Sequence, residues 1–273
     1  MVGFKRDVIA VDLGASNLRT ALVRGNKILK YKKRKTPKQK NSLIVGLFDS
    51  ISSLMTTNVR AIGIACPGPL ENGVIKNTPN LALKNFDIKG RVKKVFNKKT
   101  RVENDANCVA LAEAKLGCKK KNFIVLTLGT GIGGGIVING EIYNGQGLGG
   151  ELGHIILDNG ESFENLWKIH RKLSKKYFGK TLLVKDLLKK KDRKAKMILN
   201  KTSIYLGQGI ASLINVFDPE VVILAGGVRE IGNKFLDMIK KQAEKYVLIQ
   251  RKVDIKWSSL EHPGILGASL LVR

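Results

Sequence analysis

The sequence predicts a mixed α/β fold, duplicated internally into two lobes with a cleft between them. Two observations carry this expectation: a strand, small-residue turn and second strand open the chain at residues 7–24, and the same order returns at residues 122–139 around a run of glycines. A third strand-and-glycine unit follows at residues 221–227.

Residues 7–13 form an apolar run broken only by acids, which reads as a buried strand. A turn is expected at Gly14-Ala15-Ser16-Asn17, then a strand over 18–24 and a second turn at Gly25-Asn26. Leu43, Ile44, Leu47, Ile51 and Leu54 fall at helical spacing and predict a helix over 42–56, after which residues 59–65 return as a strand ending at Cys66-Pro67-Gly68-Pro69. The second set has a helix at 105–116, a strand at 122–128, a glycine-rich turn at 129–135, and a strand at 135–139 closed by Asn139-Gly140. A buried helix over 202–216, a strand over 221–225, an amphipathic helix over 229–246 and a terminal helix over 263–272 complete the expectation.

The chain has 273 residues, 43% of them hydrophobic, enough to bury a real core. The apolar run after Lys5 and Arg6 is too short and too polar for a signal peptide or membrane anchor, and a cytoplasmic location is expected. Cys66, Cys108 and Cys118 are odd in number and lack Cys-x-x-Cys spacing, so neither a disulfide framework nor a zinc site is suggested. The formal net charge is +27. Residues 30–40 hold seven basic side chains and no acid, and residues 168–196 hold thirteen against Asp186 and Asp192. Neither run carries a nucleic-acid recognition motif, so both read as solvated faces rather than as a surface for nucleic acid or polyphosphate.

Five short segments carry candidate chemistry. In Asp12-Leu13-Gly14-Ala15-Ser16-Asn17, with Arg19, an acid ends a strand and a turn of small residues offers backbone N–H groups to a phosphate. Asp12 suits magnesium held through water, or is an ordinary acid at a strand end. Gly129-Thr130-Gly131-Ile132-Gly133-Gly134-Gly135 lets backbone approach an anion, and Thr130 adds a hydroxyl. This run also fits a dinucleotide fingerprint, but it continues into a strand where that motif opens a helix. Gly179-Lys180-Thr181 resembles a P-loop ending, yet Ser174 stands where the first glycine is required.

Glu103-Asn104-Asp105-Ala106-Asn107 lies at a strand-to-helix junction, where Asp105 either caps the helix or serves as the base that phosphoryl transfer requires. Glu151 and His154 stand three apart, so both can hydrogen-bond neighbouring hydroxyls of one polyol; a metal site fails for want of partners. Leu224-Ala225-Gly226-Gly227 ends a strand with a turn against which a flat base could lie, or is a simple strand–helix turn.

In this order the segments resemble the ROK family of sugar kinases and repressors. The resemblance runs through Asp12-Leu13-Gly14, Ile62–Pro69, Thr78-Pro79-Asn80-Leu81, Glu103–Asn107, Gly129–Gly135, Gly150–His154 and Ala225-Gly226-Gly227, nearly the whole chain. It implies the duplicated actin-like ATPase (ribonuclease H-like) fold. The N-terminal lobe would span 1–104, with a helix at about 260–273 packing back on it, and the C-terminal lobe 105–259. It further implies that Asp105 is the catalytic base, that Asn104, Glu151, His154 and Glu164 bind sugar hydroxyls, and that Gly68 and Asn80 lie near the sugar. Asp12, Gly14, Ala15, Ser16, Asn17, Gly129, Thr130, Gly131 and Gly133 would carry the ATP phosphates and Mg2+ side, with Gly226 and Gly227 at the adenosine.

The chain departs from that pattern in places. Gly14-Ala15-Ser16-Asn17 stands where the family more often has Gly-Gly-Thr-Lys, and the cysteine-rich zinc segment after the Gly-His pair is missing, so no zinc is expected. No helix-turn-helix segment precedes the strand at residue 8, which points away from the repressor branch. The resemblance implies an ATP- and Mg2+-dependent kinase acting on glucose at its 6-hydroxyl, within a possible homodimer. Its rivals are an N-acetylhexosamine kinase, a sugar-binding regulator without catalysis, a polyanion-binding protein, and a kinase that takes polyphosphate as donor.

Overall fold

The opening apolar run is a buried strand, β1 (Asp7–Leu13), paired antiparallel with β2 (Asn17–Arg24) so that Asp12 lies opposite Arg19 and Leu13 opposite Leu18. In this computed structural model residues 7–78, 81–248 and 253–273 are described. The meander continues into β3 (Lys27–Lys35), which the sequence offered only as a basic run. Ile28 and Tyr31 are its half-buried side chains, and the rest of the strand is largely lysine and arginine in solvent. Such charge on an edge strand discourages pairing with another chain.

Helix α1 (Lys40–Ser52) buries Leu43, Leu47 and Ile51 and ends four residues before the expected limit. Strand β4 (Val59–Cys66) returns parallel to β1. A small antiparallel sheet of β5 (Leu70–Glu71), β6 (Val74–Asn77) and β7 (Lys84–Asp87) leads to α2 (Ile88–Phe96). Strand β8 (Lys99–Asn104) then adds parallel to β4, giving the order β3-β2-β1-β4-β8. Helix α3 (Asp105–Ala112) follows directly and closes in a π turn at Glu113–Gly117.

The second unit repeats this plan. Strands β9 (Phe123–Leu128), β10 (Ile132–Ile138) and β11 (Glu141–Ile142) form an antiparallel meander. The short pair β12 (Ile156–Asp158) and β13 (Glu161–Ser162) leads to α4 (Phe163–Trp167), α5 (Ile169–Phe178) and α6 (Val184–Lys189). Helix α7 (Arg193–Phe217) begins nine residues before the expected start. Its apolar stripe continues upstream through Leu199, Ile198 and Ala195 between lysines, and Asp192 caps it by accepting the Lys194 and Ala195 N–H groups. Strand β14 (Val221–Ala225), helix α8 (Asn233–Ala243) and strand β15 (Asp254–Trp257) complete the order β11-β10-β9-β14-β15. In each unit two antiparallel pairings are followed by two parallel ones, so the duplication is topological.

Helix α9 (Pro263–Leu270) closes the chain and belongs to the first unit, which also holds residues up to Cys118 and the loop Asn144–Gly149; Lys119–Tyr143 and Gly150–Ser259 form the second. Residues 105–118, which the sequence reading grouped with the second lobe, thus cluster with the first. The reason is backbone packing: a Cβ at Gly267 of α9 would collide with the Cys108 carbonyl of α3, and one at Gly63 of β4 with the Ala268 carbonyl of α9.

Candidate functional site

In the first unit, Asp12, Ala65 and Glu103 lie side by side at the carboxyl ends of β1, β4 and β8, with Cys66 beside Asn104 one step further. Ligands of open α/β sheets gather outside such strand ends. The Asp12 carboxylate accepts from Arg19 at 2.8 Å. Burial raises the Asp12 carboxyl more than the Arg19 guanidinium lowers it. Gly264 packs so close that a Cβ there would stand 3.2 Å from the Asp12 carboxyl group.

The turn after β1 has its carbonyls occupied. Gly14 N–H donates to Asn17 O at 3.0 Å, Thr36 Oγ1 donates to Gly14 O at 2.6 Å, Thr36 N–H to Ser16 O at 3.1 Å, and Lys38 Nζ to Ala15 O at 3.3 Å. With every carbonyl from Gly14 to Asn17 engaged, the turn favours an anion over a cation.

At the junction after β8 the capping role falls to Asn104, whose Oδ1 accepts the N–H groups of Ala106 and Asn107 at 2.8 and 3.2 Å. Asp105 is the first residue of α3, and its Oδ1 accepts Ala106 N–H at 2.9 Å. Glu103 Oε1 braces the bend by accepting Asn104 N–H at 2.8 Å and Asn107 Nδ2 at 3.2 Å. Asn107 Nδ2 also donates to Asn144 Oδ1 at 3.0 Å, a residue that sequence reasoning did not single out. Gly68 takes φ +94 just past β4, and Asn80 lies outside the described residues.

In the second unit the glycine run divides. Only Gly129-Thr130-Gly131 forms a turn; Gly133, Gly134 and Gly135 are inside β10, with Gly133 opposite Thr127. The cause is close approach: a Cβ at Gly134 would collide with the Gly150 carbonyl, and one at Gly153 with the Ile132 carbonyl. Those glycines let the 3-10 turn Leu152–His154 lie flat on the strand. Gly133 is therefore in the ladder rather than in the expected phosphate turn. Gly226 adopts φ +100, and a Cβ there would collide with the Leu128 carbonyl. The Gly226-Gly227 turn thus abuts the Gly129 turn at the carboxyl ends of β14 and β9.

Glu151 Oε2 and His154 Nε2 are 3.8 Å apart, with the imidazole exposed. Glu164 lies at the glycine turn, where its Oε2 accepts Ile132 N–H at 3.0 Å and its Oε1 accepts Lys168 Nζ at 2.5 Å. Trp167 Nε1 and Arg171 Nη2 both donate to Gly129 O, at 3.2 and 3.3 Å. Lys168 and Arg171 were missed in the sequence because they lie within a run that reads as solvated charge, and Trp167 because it borders that run. The signal was there, since positions 164, 167, 168 and 171 share one face at helical spacing. Among the described residues no three His, Cys, Asp or Glu side chains are grouped to hold a metal, and no helix is long and apolar enough to cross a membrane.

His170 sits beneath this edge, fully buried, with its Nδ1 2.7 Å from Trp167 O. Burial pulls it from 6.5 down to about 4. The folded chain therefore holds it neutral, so the stability is complete above pH 6.5 and is lost as pH falls toward 4. The full loss is about 3 kcal/mol. Urea unfolding across this window is expected to show it, and His170→Gln to flatten the slope; a wild-type stability that does not change would refute a buried neutral imidazole.

A model of the ROK family matches residues 8–168 and 159–273. A glucokinase of Thermotoga maritima is 30% identical over 98% of this chain and 98% of its own. A xylose repressor of Bacillus spizizenii is 31% identical over 77% of this chain and 60% of the repressor. The crystal structure of a ROK hexokinase from Thermus thermophilus superposes with a TM-score of 0.81 at 28% identity, covering 97% of each chain.

Proposed function

The chain belongs to the ROK family and has its duplicated actin-like fold, and we propose that it is an ATP-dependent sugar kinase acting on a hexose, with the glucose 6-hydroxyl as the default acceptor. The observation that carries this reading is the division of labour at the β8–α3 junction: Asn104 supplies the helix cap, so Asp105 is not needed for that purpose. Asp105 stands next to a strand end in register with that of Asp12.

In the proposed reaction the Asp105 carboxylate takes the hydroxyl proton as the sugar oxygen attacks the γ-phosphorus of ATP. The bond from that phosphorus to the β,γ-bridging oxygen breaks and ADP leaves. Asn104 has its Oδ1 committed to the cap, so a sugar contact falls to its Nδ2. Glu151, His154, Glu164, Gly68 and Asn80 are the other proposed sugar contacts. The turns at Gly14–Asn17, Gly129–Gly131 and Gly226–Gly227 are the proposed phosphate and adenosine supports. A magnesium ion would neutralise phosphate charge. A single carboxylate fits that role, because this ion keeps several waters and takes other ligands from the phosphates, and Asp12 is the residue that would hold it through water.

The xylose repressor match keeps a sugar-binding regulator in view. The two readings separate in one experiment: ATP consumption with magnesium across glucose, mannose, fructose, glucosamine, N-acetylglucosamine and N-acetylmannosamine. Sugar-dependent turnover is expected, greatest with glucose. Maximal turnover with an N-acetylhexosamine would replace the acceptor, and sugar binding without turnover would sink the kinase reading. The segment 168–196 holds thirteen basic side chains against Asp186 and Asp192 alone, which leaves the field there strongly positive. A donor affinity that falls steeply with added salt is therefore expected, and a salt-independent one would show that the local turns alone bind the donor.

A further inference from the structure

The cationic edge strand β3 holds one aromatic side chain, Tyr31. In the ladder Tyr31 lies opposite Ala21, and Arg19 lies opposite Asp12. Residues two apart on a strand share a face with each other and with their cross-strand partners, so Asp12, Arg19, Ala21 and Tyr31 all point to one side of the sheet. That side carries helix α9: Ala21, Ile265 and Ala268 share one apolar cluster, and Tyr31 packs against it. The chain enters α9 through His262, whose ring stacks on that of Tyr31 with centroids 4.4 Å apart and planes inclined by 8°. The Tyr31 hydroxyl lies against the Arg19 guanidinium, which donates through Nη1 to Asp12 Oδ2 at 2.8 Å. Gly264 closes the circuit, since a Cβ there would stand 3.2 Å from the Asp12 carboxyl group, and Pro263 fixes the chain between Gly264 and His262. Glu261 Oε1 is 3.8 Å from His262 Nε2, too far to fix the imidazole by a hydrogen bond.

We propose that Tyr31 and His262 are positioning residues of the donor site: the His262 ring fixes the Tyr31 ring, the Tyr31 hydroxyl fixes the Arg19 guanidinium, and Arg19 fixes the Asp12 carboxylate beside the Gly14–Asn17 turn. The role rests on the kinase reading above and adds to it two residues outside the segments that carry the family resemblance. An arginine held at one atom keeps much of the freedom of its long stem, and a second partner removes it. The place of this guanidinium matters because its Nη1 also comes within 4.0 Å of where a Cβ at Gly14 would stand, at the lip of the proposed phosphate turn.

The test is binding, not turnover: calorimetric titration of a non-hydrolysable ATP analogue with magnesium, and separately of glucose, on the whole chain. Tyr31→Phe removes only the hydroxyl and is expected to weaken analogue binding about fivefold, the worth of one ordinary hydrogen bond. His262→Ala removes the stacked ring and is expected to weaken it about threefold, whereas His262→Phe keeps a ring on Tyr31 and stays within about twofold of wild type. Because the contacts run in series, Tyr31→Phe combined with His262→Ala is expected to lose little beyond Tyr31→Phe alone, instead of the product of the two losses. Glucose affinity is expected to stay within about twofold throughout, a split that general loosening of the unit would not produce. Wild-type analogue affinity in Tyr31→Phe would overturn the positioning role and leave the kinase reading intact. A His262→Phe chain that loses as much as His262→Ala would overturn the part given to the stacked ring, and an equal loss of glucose affinity would overturn the whole in favour of loosening. A wild-type chain that binds no analogue would overturn the kinase reading and this role together.

Discussion

Asp105→Asn is expected to lower kcat by about 10³-fold or more while the affinity for a non-hydrolysable ATP analogue changes by less than about threefold. The replacement keeps the size of the side chain and an oxygen that can accept Ala106 N–H, the contact at 2.9 Å in the first turn of α3. The cap at Asn104 and the brace at Glu103 do not involve the lost charge, so the junction keeps its shape. What disappears is the group able to take a proton from the sugar hydroxyl, and general-base catalysis is worth roughly 10²–10⁴ in rate. The other requirements of phosphoryl transfer, positioning and charge neutralisation, lie elsewhere and survive. Steady-state rates and calorimetric titration on the same preparation separate the two terms. A variant that keeps more than about a tenth of wild-type kcat would remove Asp105 from the role of base.

The sequence makes the strands legible where burial is continuous. Residues 7–13, 59–65 and 221–225 are apolar runs, and each forms a buried central strand of its sheet. It hides β3, because an edge strand in solvent needs little apolar patterning and this one carries mostly cations. The glycines illustrate a different ambiguity. A missing side chain serves an anion and a neighbouring backbone equally well, so Gly129 to Gly135 read as one loop. The distinction lies in what a Cβ would meet, namely space at Gly129, the Glu164 carboxylate at Gly131 and the Gly150 carbonyl at Gly134. The contacts at Asn144 and Glu164 join segments 37 and 32 residues apart, and pairings across such separations have no local pattern from which to be read. The cap fell one residue away from the expected place: the junction offered Asp105 for it, and Asn104, an equally favoured N-cap residue just before it, takes it.

The largest loss of stability from a single methyl group is expected at Gly267. Helix α9 is wedged between β4 and α3 through backbone on both sides: a Cβ at Gly63 would land on the Ala268 carbonyl, and a Cβ at Gly267 on the Cys108 carbonyl. Neither obstacle is the tip of a flexible side chain. Gly267→Ala must therefore push α9 off α3, and Ile265 and Ala268, fully buried beside Cys108, lose packing as it retreats. Overpacking of this kind costs about 1–3 kcal/mol in ordinary cores, and more where backbone must shift. The gain in helix propensity from glycine to alanine offsets about 1 kcal/mol of it. A net destabilisation of about 2 kcal/mol, the upper end of that range, lowers the melting temperature by roughly 4–8 °C in a unit of this size. Gly129→Ala is the internal comparison, because a Cβ there meets nothing and should leave the melting temperature within about 2 °C while weakening the donor. An unchanged Gly267→Ala melt would mean that α9 can withdraw without cost. Since α3 carries Asp105 at its first position, the same retreat should also lower kcat below what the folded fraction accounts for, tying the packing of the last helix to the position of the proposed base.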